Sequence, residues 1–210
     1  MGIVRLRMIS FSTCWNSSRH TAGDAMLAEI RNKLGFEVIE LGHGIRISLM
    51  PGIQKAFDNG LVRFSSLHNF CPLPVEVMSA SPDCYTFSAR TVHERARAVK
   101  QTLQTIDFAE RLNAPFVVLH CGRVPIPRVT DPLIDLIKAG KMYSREYVKR
   151  KVAAVAKREA HAAFYMERVK ECLKPIVAPA GKKNVQPGSQ GRRGYGGSPR
   201  QRDQPRRAGR

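Results

Sequence analysis

Two histidines stand where apolar runs end abruptly. In "PFVVLH" the run Phe116–Leu119 delivers His120, and in "LVRFSSLH" a shorter run delivers His68. The run before them, "EVIELG", carries Glu40 and leads into Gly42 and His43, and the first run of the chain ends in Cys14, Trp15 and Asn16. Alternation along a strand puts Val38, Glu40 and Gly42 on one face, and Val118 with His120 on one face. If those faces point inward, Glu40, His68 and His120 converge on one pocket. Imidazole with carboxylate is a ligand set for a divalent metal, suiting Zn, Mn or Fe better than Ca. A single strand-end histidine is more often a hydrogen-bonded structural residue. Two in successive strands, with an acid in the strand before, put a shared site on an equal footing with that reading. Trp15 fits a core or rim aromatic as well as a substrate platform. His20, His93 and His161 fall in or beside helices and read as surface or structural residues. Cys14 and Cys121 read as small packing residues, and no Ser/His/Asp set follows from spacing.

The elements that would carry these residues alternate. Residues 3–13 read as a first strand. Thr21 with Asp24 makes a loose capping box for a helix whose face is Met26, Leu27, Ile30 and Leu34, stopped by Gly35. "EVIELG" is a second strand, "LMPGIQKAFDNG" a second helix, and "LVRFSSLH" a third strand. A loop rich in Pro and Ser spans 70–90. Thr91 and Glu94 form a capping box for a third helix, and "PFVVLH" is the fourth strand. A linker with Pro125, Pro127 and Pro132 holds a short helix around 133–138. Ser144 caps a last long helix over 144–173. Val148, Val152, Val155, Ala162, Met166, Val169 and Leu173 mark its buried stripe, interrupted by Glu159. Four rounds of strand and helix imply a parallel sheet covered by helices, as a doubly wound sheet or a (β/α) barrel. The first strand–helix turn lacks GxGxxG, which counts against a dinucleotide site.

Composition narrows the class. The chain has 210 residues and a net charge of +18. From Gly181 onward nine Lys or Arg face one acid, Asp203, a surplus of eight in thirty residues. Five cysteines without a CxxC pair fit a reducing compartment. No stretch reads as a signal peptide or a membrane span, so the expectation is a soluble, cytoplasmic protein with no membrane partner.

"STCWNS", "EVIELGHGI", "FSSLHNFCPLP" and "FVVLHCGRV" resemble, in order and spacing, the first four strand ends of the xylose-isomerase-like barrel superfamily. That group includes sugar-phosphate isomerases and epimerases and the endonucleases that act at abasic sites. The resemblance covers about residues 5–175. It implies an eight-stranded barrel with a divalent-metal site (Zn, Mn or Mg) at its C-terminal mouth. It carries metal ligation onto His68 and His120, and an acidic, catalytic role onto Glu40. Trp15, Asn16 and His43 would shape a pocket for a small sugar or sugar phosphate.

The chain departs from that pattern after four units. A full barrel typically needs about 250 residues. "KKNVQPGSQGRRGY" keeps the outline of a fifth strand, but Pro187 interrupts it and Gln190 stands about where a metal-binding Glu is expected. The following Pro, Gly, Arg and Gln cannot bury enough surface to offset ordering entropy. The expectation is an incomplete α/β fold of (β/α) barrel type. It would have four to five parallel strands over 1–175 and a disordered Arg/Gly/Pro-rich tail over 176–210. A homodimer could supply a missing half. The leading function is metal-dependent proton transfer beside a sugar carbonyl, in a chain whose truncation could leave it inactive. The alternatives are a metal-dependent phosphodiesterase on abasic DNA, and non-specific RNA or DNA binding through the basic tail.

Overall fold

The computed structural model describes residues 9–126 and 129–190. The strands are β1 (Phe11–Ser12), β2 (Val38–Leu41), β3 (Arg63–His68), β4 (Phe116–Leu119) and β5 (Gln186–Ser189). The helices are α1 (Gly23–Glu29, continued by a wider turn over Ile30–Leu34), α2 (Met50–Asp58), α3 (Val92–Arg111), α4 (Asp131–Lys138) and α5 (Arg145–Lys182). All strand pairs are parallel, and the order is β1-β2-β3-β4-β5. A doubly wound sheet reverses its strand order at a switch point. Here every strand adds beside its predecessor, which is the barrel-type arrangement.

One face of the sheet is core. Ile39, Leu41, Leu67, Val117 and Leu119 lie buried with Met26, Ile30, Ile53, Ile106 and Ile176 of the covering helices. The opposite face carries Glu40, Ser66, His68, Phe116, Val118 and His120, which line an open cavity. A register shift in the β2–β3 pair sets this up: Ile39 pairs with Phe64 but Glu40 pairs with Ser66. The extra residue, Ser65, lets Phe64 enter the core while Ser66 and His68 face the cavity.

Caps place the longer helices. Thr91 Oγ1 accepts from Glu94 N (3.4 Å), and Ser144 Oγ accepts from Tyr147 N (3.2 Å). The Thr21 capping box does not form. α1 starts at Gly23, and Asp24 Oδ1 accepts instead from Ala25 N. The start of α1 packs closely on α2: a Cβ on Gly23 would stand 2.1 Å from Leu49 O, and one on Gly52 would stand 2.6 Å from Asp24 N.

Three expectations are corrected. A boundary between residues 175 and 176 falls inside α5, which runs through Pro175 and Pro179 to Lys182. Ile176 and Ala180 are buried, and Lys183 pairs with Asp107 (3.2 Å) and Glu110 of α3. Order then extends through β5, which pairs Phe116 with Gln186 and Leu119 with Ser189. Pro187 is compatible with this strand because the even residues face β4. Gln186 N donates to Pro115 O and Gln190 N to Leu119 O, so the position that lacks an N–H faces the open edge. Third, Val148, Val152 and Val155 are not buried. The tail from 191 and the expected strand residues 3–8 lie outside the described residues.

Candidate functional site at the strand ends

A cavity of about 730 Å3 opens at the C-terminal ends of the strands, a volume suited to a small-molecule ligand. Cys14, Glu40, His43, His68, His120 and Gln190 line it. β3 ends at His68, His120 directly follows β4, and Gln190 directly follows β5. Parallel pairing therefore brings all three to one rim.

The two predicted histidines meet edge to face, with ring centroids 4.9 Å apart. His68 Nδ1 lies 3.0 Å from the Asn69 carbonyl oxygen, and His120 Nδ1 lies 3.3 Å from Asp83 Oδ1. Both partners can only accept, so each Nδ1 carries the hydrogen and donates it. In a neutral ring the Nε2 lone pair is then left facing the cavity. Both Nε2 atoms point at one atom, Gln190 Oε1, at 3.1 Å for His68 and 3.3 Å for His120. Two ring lone pairs and an amide oxygen thus share one point. That point favours a cation, or a turned amide whose NH2 gives one hydrogen to each ring.

Whether a divalent metal fits can be read from the donors. Among the described residues no three His, Cys, Asp or Glu side chains gather closely enough to hold one. Glu40 faces the same cavity but is anchored elsewhere: Ser66 Oγ donates to its Oε2 at 2.9 Å. The donor set that fits is His68 Nε2, His120 Nε2 and Gln190 Oε1. It is neutral, and it suits an imidazole-preferring ion such as Zn better than Mg, which favours carboxylates and water.

His43 follows β2 and stacks edge-on to His68, with centroids 5.2 Å apart. Burial, helped by the charges of His68 and His120, pushes its pKa below the ordinary histidine value, against the pull of Asp83 and Glu40. Its Nδ1 lies 3.9 Å from Cys14 Sγ. Cys14 is not the packing residue that was expected; it is exposed and lines the cavity. Gly42 makes room for it, since a Cβ there would stand 2.4 Å from the sulfur.

Asn16 and Trp15 do not join the cavity lining. Asn16 is fully buried, and its amide donates to Met26 O (2.9 Å) and Glu29 Oε2 (3.0 Å). It ties the first strand end to α1. Glu29 also takes His20, Arg19 and Lys33; the His20 hydrogen bond, then those of Asn16 and Lys33, hold its carboxyl far below the usual range. Trp15 packs edge-on against Phe11 and lies under the Arg19 guanidinium. Asp83 and Ser66 were not singled out from the sequence. Asp83 sits in the Pro- and Ser-rich loop, where no periodicity marks it. Ser66 reads as an ordinary strand residue.

No family model matches this sequence, and no curated protein does. Solved structures do. A Rhodospirillum rubrum protein provisionally described as a xylose isomerase has 14% identity and a TM-score of 0.54, over 85% of this chain and 52% of its own. A 3-keto-D-glucoside 4-epimerase from E. coli has 8% identity and a TM-score of 0.54, over 87% and 55%. An L-ribulose 3-epimerase has 14% identity and a TM-score of 0.52, over 86% and 48%. This chain spans about half the length of these structures. At such identities the likeness shows the fold alone, which is that of part of a (β/α) barrel. Among the described residues no helix is long and apolar enough to cross a membrane.

Proposed function

We propose that this chain, with the fold of part of a xylose-isomerase-like barrel, binds a small open-chain sugar or sugar phosphate in the strand-end cavity and transfers a proton beside its carbonyl. The observation that carries this reading is the convergence of His68, His120 and Gln190 on one point, in the same cavity as the Glu40 carboxylate. The resemblance of the fold to sugar epimerases supports the substrate class.

Each residue has a role that its surroundings permit. Ser66 holds one oxygen of Glu40 by a hydrogen bond, which fixes the carboxylate and leaves its other oxygen for a substrate C–H. The Asn69 carbonyl and the Asp83 carboxylate fix the rings of His68 and His120, so both Nε2 atoms stay aimed at the cavity. Exposed Phe116 and half-buried Val118 offer an apolar floor for the carbon chain. A divalent cation held by His68, His120 and Gln190 would polarise the sugar carbonyl and acidify the neighbouring C–H. Glu40 is the carboxylate that lines the cavity among the described residues. One base that takes and returns a proton on the same face suits isomerisation, whereas epimerisation needs a second group across the substrate.

The test is solvent exchange. The full chain is incubated with a panel of ketoses, aldoses and their phosphates in D2O with Zn2+ or Mn2+, and deuterium next to the carbonyl is followed by NMR. Incorporation into at least one sugar, lost in Glu40→Gln, is the expected result. Absence of exchange across the panel, or exchange unchanged in Glu40→Gln, contradicts the reading.

A further inference from the structure

α5 is 38 residues long, and its buried residues begin only at Tyr165, where it lies on α3. Residues 145–160 contain no buried position. At 1.5 Å per residue they form an arm of about 24 Å. Helices of that length are marginal in water without tertiary packing.

The arm's apolar residues are ordered. Val148, Val152 and Val155 follow a spacing of four and three, and the same rhythm continues through Glu159, Ala162, Met166, Val169 and Leu173. That is the 3.5-residue period of a coiled-coil seam. The lower part of the seam is covered by the protein's own core. The upper part is open, with Val148, Val152 and Val155 at 51%, 62% and 51% exposure. Lys149 and Lys151 border the seam, and residues 145–158 hold six Lys or Arg against one acid, Glu146. α4, which contacts α5, adds exposed Ile134 and Ile137.

We infer that this arm is a docking surface for an acidic amphipathic helix of a partner protein. The charge decides among occupants. A second copy would set Lys149 and Lys151 against the same residues, and like charges flanking a seam disfavour pairing. An anionic lipid surface would satisfy the cations, but interfacial helices carry Trp, Phe and Leu on a broad apolar face. Here the stripe is narrow, made of Val and Ala, and interrupted by Glu159, which hydrocarbon would penalise. A helix with apolar residues at seam positions and Glu beside them satisfies both the valines and the lysines. A basic or amide side chain opposite Glu159 would fix the register.

The probe is a fluorescein-labelled synthetic peptide of about four heptads, with Ile and Leu at seam positions and Glu at the flanking ones. Its anisotropy is followed as the full chain is added. Saturable binding is expected, weakened at least about tenfold by Val152→Asp and by the pair Lys149→Glu and Lys151→Glu, with thermal unfolding of the chain unchanged. A matched peptide with Lys at the flanking positions should not bind. The inference is overturned by no binding of the acidic peptide, by binding that survives Val152→Asp, or by preference for phosphatidylserine-containing vesicles over the peptide. Concentration-dependent dimerisation lost in Val152→Asp, by sedimentation, would assign the surface to a second copy and overturn it equally.

Discussion

His120 and Asp83 meet across 37 residues of chain: the ring Nδ1 lies 3.3 Å from the carboxylate Oδ1. The strand delivers the histidine and the Pro- and Ser-rich loop delivers its partner. Such outer carboxylates fix a ring's tautomer and orientation. Asp83→Ala should therefore weaken Zn2+ binding by about 10- to 100-fold, measured by calorimetric titration, while the far-UV spectrum is retained. Unchanged affinity would mean that the carboxylate does not orient the ring.

His43 makes stability pH-dependent. Burial disfavours its charged form, so the folded protein holds this proton less tightly than the unfolded chain, where a histidine titrates near about 6.5. Between that pH and the lower folded value the unfolded state binds more protons. Stability is therefore complete above about pH 6.5 and falls as the pH drops below it. Urea midpoints measured across this window should decline toward acid, and His43→Gln should flatten the decline. Glu29, whose carboxyl is held low by its partners, acts in a separate and more acidic window.

Gly42 is a packing constraint beside the cavity. Gly42→Ala would drive a methyl against Cys14 Sγ, at 2.4 Å, and should cost about 1–3 kcal/mol by urea unfolding. Combining it with Cys14→Ala should recover much of that loss. A double variant as unstable as the single one would place the clash elsewhere, the Cys14 backbone N at 3.2 Å being the next neighbour.

Much of the fold is legible in the sequence because its signals are local. Thr91 and Ser144 mark helix starts by their own side chains, and the apolar runs mark four strands. His68 and His120 are legible because each ends such a run. The misread residues depend on what lies across space. Asn16 follows a strand like a pocket residue, yet its amide serves α1. Pro187 reads as a strand breaker until the edge position of β5 is known. The α5 valines have the period of a buried stripe, and period alone does not say whether a partner is present. Asp83 gives no signal, because a loop residue's neighbours are set by the loop's path.

Gln190 presents a neutral amide at the rim of β5. Gln190→Glu adds a negative donor beside both rings, and ligand charge raises affinity for cations. Zn2+ or Mn2+ should bind about tenfold tighter or more than to the parent chain, by the same titration. No gain would show that residue 190 does not reach the cation.

The most direct measurement is long-range 1H–15N NMR of the His68 and His120 rings, with and without one equivalent of Zn2+. In the neutral form both rings should carry the hydrogen on Nδ1 and a lone pair on Nε2. On adding Zn2+ the two Nε2 signals should shift together, and His68→Ala should abolish the shift at His120. If either ring carries its hydrogen on Nε2, or if Zn2+ moves one ring without the other, the two histidines do not share a site and the proposed chemistry fails.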